Sequence, residues 1–231
     1  MKRKISIVIP TFNEEKYLPK LLKSIKSQSF NDYEIIVADN NSKDKTIQIA
    51  KKHNCKITKG GIPSVARNNG AKIAKYDLLF LDSDVILPKD FLKNFLKKII
   101  NNDLDYASCR IEPLTNKNKI KFSFMLKNIG NKLIPNHTSG QCLFVKKDCF
   151  NSINGFDEKL YLAEEHDFVE RLNKRKFKGK FFFDTFVYCV PRRQEKEGTY
   201  RTLIKDIYSE LYRIFIGKIK KPIYKKEYGH Y

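Results

Sequence analysis

The chain has 231 residues and a formal net charge of +20, with 46 Lys and Arg against 26 Asp and Glu. Such a length makes one large domain, or one domain with a tail. No apolar run approaches the roughly 20 residues of a membrane span, and Pro10 and Asn13 cut the first apolar stretch too short for a signal peptide. The five cysteines, Cys55, Cys109, Cys142, Cys149 and Cys189, show no Cys-x-x-Cys spacing. That argues against a zinc or redox motif and fits a reducing compartment. The basic charge leaves nucleic acid, an anionic membrane surface and phosphorylated substrates open.

In chain order, Ile5-Ser6-Ile7-Val8-Ile9 is a β-branched run closed by Pro10, and predicts a strand. Leu18, Leu21, Leu22 and Ile25 then mark a helix face, with Asn13 as its expected N-cap and Glu14 and Glu15 in its first turn. Glu34 to Ala38 is the next strand and ends in Asp39. Ser42 or Asp44 caps a helix running to about His53. A short strand from Cys55 to Thr58, the pair Gly60-Gly61, and a helix from Pro63 to Ala74 lead to a third apolar strand at Leu78. Alternation at this interval is the pattern of an α/β protein with a parallel sheet and crossover helices. Beyond Pro88 the pattern loosens. A helix over 90–100, strands over 105–111 and 141–145, a helix over 162–174 and strand structure over 181–190 are expected, with 122–133 unassigned. Tyr200 to Ile219 reads as a last amphipathic helix carrying Leu203, Ile204, Ile207, Leu211, Ile214 and Phe215 on one side. The composition shifts to Lys, Arg and Tyr after Pro191, dividing the chain into 1–191 and a basic extension, 192–231.

Chemistry-bearing residues collect at strand ends. The buried run Leu78 to Leu81 stops in Asp82-Ser83-Asp84, and the C-terminal edge of an open α/β sheet is where ligands bind. On a continuing strand both carboxylates point the same way. Two such oxygen donors suit a hard divalent cation that keeps waters and grips a diphosphate. An acidic turn explains the same residues. Asp39 ends a strand where its carboxylate can meet the N–H of a nucleotide base, or it begins a turn. Gly60-Gly61 before a helix is a phosphate cradle or a plain turn, and Arg67 one turn later reaches a diphosphate or a solvated face. The acids Glu164, Glu165 and Asp167 supply a general base for a hydroxyl, or sit favourably at a helix N-terminus. A lone His166 beside them is more often structural than a metal ligand.

Taken together, Ile7-Val8-Ile9-Pro10-Thr11-Phe12-Asn13-Glu14-Glu15, Ile36-Val37-Ala38-Asp39-Asn40-Asn41-Ser42, Ala66-Arg67-Asn68-Asn69-Gly70, Phe80-Leu81-Asp82-Ser83-Asp84, Ser139-Gly140-Gln141, Gly155-Phe156-Asp157-Glu158 and Ala163-Glu164-Glu165-His166-Asp167-Phe168 resemble family 2 inverting glycosyltransferases of the GT-A fold. The resemblance spans roughly residues 4–190 in the family's order. It implies an open, mostly parallel sheet flanked by helices, with a C-terminal helical extension. It also implies a nucleotide pocket lined by Pro10, Thr11 and Glu14, with Asp39 at the base and Arg67 and Ser83 at the nucleotide. Asp82 and Asp84 become the metal-binding pair for Mn²⁺ or Mg²⁺, with Asp84 the direct ligand. Glu165 takes the catalytic base position, one methylene longer than the family's Asp, with Asp167 as its rival. Related enzymes place a metal-binding His after the last core strand; here Val190-Pro191-Arg192-Arg193 has none, so water completes the shell or metal dependence weakens.

The implied activity is transfer of a sugar from a nucleotide-diphosphate sugar, UDP- or GDP-linked, to an acceptor hydroxyl in glycan, glycolipid or polyprenyl-phosphate synthesis. The expected partners are that donor and a saccharide or lipid-linked acceptor. The extension either lies on an anionic membrane, making the enzyme peripheral at the cytoplasmic face, or packs on the core or on a second subunit as a homodimer. The alternative class is a catalytically inactive nucleotide-binding or basic nucleic-acid-binding protein; no recognised nucleic-acid motif is present.

Overall fold

The structure, a computed structural model, describes residues 4–134 and 137–224. Eight strands form one sheet: β1 (Ile5–Thr11), β2 (Tyr33–Asp39), β3 (Lys56–Lys59), β4 (Asp77–Leu81), β5 (Val85–Ile86), β6 (Tyr106–Pro113), β7 (Cys142–Val145) and β8 (Gly179–Cys189). Their order across the sheet is β3-β2-β1-β4-β7-β6-β8-β5. β3, β2, β1 and β4 run parallel, while β7 is antiparallel to both β4 and β6 and β5 is antiparallel to β8. The first four strands therefore end at one edge, as the alternation of elements requires.

The helices α1 (Leu18–Lys26), α2 (Thr46–Lys52), α3 (Pro63–Ile73), α4 (Phe91–Asn101), α5 (Asn118–Leu133), α6 (Lys147–Ser152), α7 (Glu164–Lys174), α8 (Arg192–Glu197) and α9 (Thr199–Phe215) complete the chain. Strand residues point alternately to opposite faces, and both faces are covered. Ile5, Ile7, Ile9, Leu79 and Leu81 pack with α1 and α4 residues such as Leu22 and Phe95. Val8, Leu78 and Phe80 pack on the other face with Ala71, Phe150, Phe156 and Phe168. Phe80 meets Phe156 edge-on with centroids 5.3 Å apart, and Phe156 in turn lies under the Arg67 guanidinium at 5.4 Å. The core thus reaches directly to a charged residue of the site. An unassigned stretch, 122–133, proves to be most of α5.

Two local expectations are corrected. Asn13 does not cap α1, which starts at Leu18 with no acid in its first turn. Asn13 instead adopts a left-handed conformation, φ 56°, and its backbone N–H donates to Ser42 Oγ at 2.8 Å. Its side-chain oxygen accepts from Lys43 N at 2.6 Å. A cross-loop lock has won over the cap, and Pro19 falls in the first turn, where its missing N–H costs nothing. The strand also does not continue through Asp84. It ends at Leu81, and Val85 N donates to Asp82 O at 3.2 Å to close a turn. Turn chemistry and ligand position therefore coexist, and the turn delivers the two carboxylates to different partners.

Candidate active site

At the edge where β1, β2 and β4 end lies a cavity of about 630 Å³. Pro10, Thr11, Glu14, Arg67, Asp82, Ser83, Asp84 and Glu165 all line it. Asp39 borders a shallow neighbouring depression with Ser42, Lys43 and Lys59. Its carboxylate accepts from Thr11 Oγ1 at 2.9 Å, Ser42 Oγ at 2.6 Å and Ser42 N at 2.9 Å. These bonds tie the β1 and β2 tips into one unit. Gly60 sits against that unit: a Cβ there would fall 2.5 Å from the Asp39 carbonyl carbon and 2.6 Å from Asn40 N. The first glycine of the pair is thus required by close backbone approach, while Gly61 reaches the cavity wall.

Arg67 comes from α3 and is buried. Its fork is fully directed: Nη1 donates to Glu164 Oε1 at 2.8 Å, and Nη2 to Asp82 Oδ1 at 3.1 Å and Gly140 O at 3.4 Å. Burial pushes the Asp82 carboxyl up to about 6, against the pull of Arg67. Gly140 closes this corner, since a Cβ would lie 3.3 Å from both Arg67 Nη2 and Glu165 Cδ. The same geometry places the Glu165 carboxyl beside Arg67. Of the acids opening α7, Glu164 is committed to Arg67, Glu165 faces the cavity, and Asp167 is not brought to it. Asp167 turns the other way, paired with Arg171 Nε at 2.8 Å and Lys218 Nζ at 2.6 Å. Helical spacing explains the split: positions two apart lie on different sides of a helix.

Arg192 is the residue that sequence reasoning missed. It opens α8, directly after Pro191, where a metal-binding His was sought. Its guanidinium contacts Asp84 Oδ2 from Nε and Nη2, both at 3.0 Å, and the Glu14 carboxylate from Nη1 and Nη2 at 3.1 Å. It also lies over the Tyr17 ring at 4.5 Å. Burial raises the Glu14 carboxyl to about 7, with Arg192 opposing and Asp84 adding; burial raises Asp84 too, again against Arg192. The pair Arg192-Arg193 after the last core strand was the signal available.

The opposite wall belongs to α5 and α9. Asp206 of α9 binds Lys127 Nζ at 2.6 Å and Arg193 Nη1 at 2.9 Å. His137 Nε2 lies 2.7 Å from Glu210 Oε1 and 2.8 Å from Arg213 Nη2. His166 stacks on His137 with centroids 4.4 Å apart and accepts from Thr138 N at 3.3 Å through Nδ1. His137, His166 and Glu210 are close enough to share an ion, but the Arg213 guanidinium already supplies a cation among them. The cavity wall therefore uses residues on both sides of position 191. The apolar side of α9 does not pack on the core: Ile204 is 66% exposed, Phe215 80%. The last residues of the extension, 225–231, lie outside the described part.

Asp82 and Asp84 fit a divalent cation. Both are oxygen donors at one cavity edge, and the Asp84 charge adds to burial in raising the Asp82 carboxyl.

This is an open α/β fold that brings Asp82, Asp84 and Glu165 to one cavity, with Asp39 in the depression beside it. The sequence profile of glycosyl transferase family 2 matches residues 6–150, and the chain belongs to that family. It is 37% identical over 102 residues to the poly(ribitol-phosphate) β-N-acetylglucosaminyltransferase TarS of Staphylococcus aureus, covering 39% of this chain and 18% of TarS. It is 35% identical over 128 residues to a GalNAc(5)-diNAcBac-PP-undecaprenol β-1,3-glucosyltransferase of Campylobacter jejuni, covering 50% of this chain and 41% of the relative. The chain thus spans less than half the length of either. Among solved structures, the mannosyltransferase PcManGT of Pyrobaculum calidifontis, in complex with GDP-Man and Mn²⁺, superposes with TM-score 0.68 at 15% identity, over 94% of this chain and 71% of that one. These likenesses establish the GT-A fold.

Proposed function

We propose that this protein is an inverting glycosyltransferase that moves a sugar from a UDP- or GDP-linked donor to an acceptor hydroxyl. The observation that carries the reading is the meeting, in one cavity, of the Asp82–Asp84 turn, the buried Arg67 and the Glu165 carboxyl. Glu165 removes the acceptor proton. The acceptor oxygen forms a bond to the anomeric carbon from the face opposite the diphosphate, the bond from that carbon to the diphosphate oxygen breaks, and the configuration inverts. Arg67, oriented by Glu164, faces the departing diphosphate with a fixed charge in a water-poor site, where preorganised charge counts most. Asp84 and Asp82 would hold Mn²⁺ or Mg²⁺, which neutralises charge on the leaving group when bound. Thr11 and Ser42 hold the Asp39 carboxylate at the end where the base would lie.

The acceptor is a lipid-linked or polymeric glycan, and the enzyme works at an anionic membrane surface. Leu126 and Ile134 of the α5 side and Ile207 of α9 are exposed and also line the cavity. Lys121, Lys132, Arg201 and Lys220 flank these elements, and basic residues near an anionic surface add about 1 kcal/mol each. The Campylobacter relative's lipid-linked acceptor is in keeping with this. No helix among the described residues is long and apolar enough to cross a membrane.

The test is a thermal-shift and turnover screen of UDP- and GDP-sugars with and without Mn²⁺. Stabilisation by a nucleoside diphosphate is expected by mass action, with hydrolysis of one donor class. No stabilisation by any nucleoside diphosphate overturns the reading.

A further inference from the structure

Resting on the transferase reading, the geometry points to a role for Arg192: it is an exchangeable counter-ion, which holds Asp84 and Glu14 in the empty cavity and transfers to the donor diphosphate when a divalent cation takes Asp84. The argument begins with charge. At this end of the cavity the acids Glu14, Asp82, Asp84, Glu164 and Glu165 face two arginines, Arg67 and Arg192. A diphosphate adds further negative charge, so binding it requires a cation that can be re-aimed.

Arg67 cannot serve. Its fork is spent on Glu164, Asp82 and the Gly140 carbonyl, and its side chain is 5% exposed between them. Turning it would strand two acids. Arg192 also bridges two acids, but differs in what they are and in how it is held. Its partners are two carboxylates, one of which belongs to the candidate metal pair. Among the described residues its guanidinium donates to carboxylates alone, and its stem leaves a six-residue helix at the cavity edge. A cation bound at Asp84 would displace the guanidinium from that carboxylate and leave Glu14 as its one remaining carboxylate partner. The Tyr17 face then keeps the released guanidinium at the rim instead of in solvent. Arg, with its planar fork, is suited to pair with phosphate oxygens two at a time. The position left without a His in this chain is thus filled by a residue that competes with the cation in the empty site and cooperates with it in the loaded one.

Two equilibrium constants test this in the full chain. UDP and GDP affinity is measured calorimetrically in saturating Mn²⁺, with UMP and GMP as controls, and Mn²⁺ affinity is measured without nucleotide. Arg192→Gln is expected to weaken binding of the preferred diphosphate in saturating Mn²⁺ about tenfold, the scale of one charge-assisted bond. It should leave the monophosphate within about threefold and bind Mn²⁺ several-fold more tightly. Arg192→Lys, which keeps a cation between the acids, shifts both constants in the same directions by smaller factors, and a cooperative melt confirms that each variant is folded. Unchanged diphosphate affinity in saturating Mn²⁺, or Mn²⁺ affinity that is unchanged or weaker in Arg192→Gln, overturns the inference while leaving the transferase reading intact. Wild-type protein that binds neither diphosphate overturns both.

Discussion

The two walls of the cavity are built differently. On the strand-tip side, the loops after β1 and β2 are locked by short bonds that involve the backbone: Asn13 N to Ser42 Oγ, Lys43 N to Asn13 Oδ1, and Glu14 N to Thr46 Oγ1 at 2.7 Å. Those loops stand on strands whose apolar side chains are fully buried. On the α9 side, the wall is held by long charged side chains, Lys127–Asp206–Arg193 and His137–Glu210–Arg213, while Ile204, Leu211, Ile214 and Phe215 of α9 are exposed away from the cavity. The first wall inherits its rigidity from the core. The second depends on ion pairs, whose strength varies with pH and salt. In the proposed transferase, a fixed donor site would face an adjustable acceptor wall, an arrangement that lets one fold keep its chemistry while the acceptor changes.

The sharpest way to break this contrast is at Glu165, where the walls meet. Glu165→Gln is expected to lower kcat about a thousandfold, within the range for a lost general base, while UDP or GDP affinity stays within about twofold. Near-normal turnover would remove Glu165 from the reaction. Next in size is Arg67→Ala, which leaves Glu164 and Asp82 without their partner in a buried corner. Breaking a buried pair from one side costs about 3–5 kcal/mol, or a Tm lowered by roughly 10 °C in a domain this long. A Tm within 2 °C or so of wild type would mean that the strand-tip wall is far softer than its burial indicates.

Much of the rigid wall was legible from residue order. β-branched and apolar runs that stop in Asp39 and Asp82 announce strands and their ends, because strand burial and turn chemistry are local properties. Asn13 was misread because its capping chemistry is local, whereas its actual partners, Ser42 and Lys43, are about thirty positions away. Arg192 was hidden for the same reason at longer range. Nothing near Pro191 shows that Glu14 and Asp84 lie opposite. α9 illustrates a further limit. Ile204, Ile207 and Leu211 recur as they do on a core-facing helix, yet periodicity reveals an apolar side without saying what covers it.

The adjustable wall makes a prediction about acid. Burial, then the neighbouring charges of His137 and Arg213, push His166 from its ordinary 6.5 down to about 3. Glu210 goes down from 4.5 to about 2, because hydrogen bonds and charge from His137 and Arg213 outweigh its burial. In each case the unfolded chain binds more protons than the folded one between the two values. The contribution of these two groups is therefore full above about pH 6.5 and is lost as pH falls, first through His166 and below about 4.5 through Glu210 as well, while the raised Glu14 and Asp82 carboxyls, at about 7 and about 6, contribute in the opposite sense. The Tm of His166→Gln should therefore rise relative to wild type as pH is taken from 7 to 4, the Glu14 and Asp82 contributions being common to both proteins. An acid limb of the same slope in the variant would show that the clasp on α9 is not what acid attacks.

The smallest effect on the fold, and the most informative about the outer face, belongs to the double change Ile204→Ser with Ile207→Ser. Both side chains are more than half exposed, so folding stability should change by less than about 0.5 kcal/mol each, as for surface positions away from packed features. Burial of such a side chain in a lipid interface is worth about 1.5–3 kcal/mol. The pair should therefore reduce flotation with vesicles containing anionic lipid by tenfold or more, at unchanged Tm. Neutral vesicles provide the contrast, because basic residues lose most of their attraction there. If flotation is unaffected but sedimentation shows a dimer that the double variant dissolves, the outward face of α9 joins two copies of the chain. The adjustable wall would then be adjusted by a protein neighbour instead of by lipid.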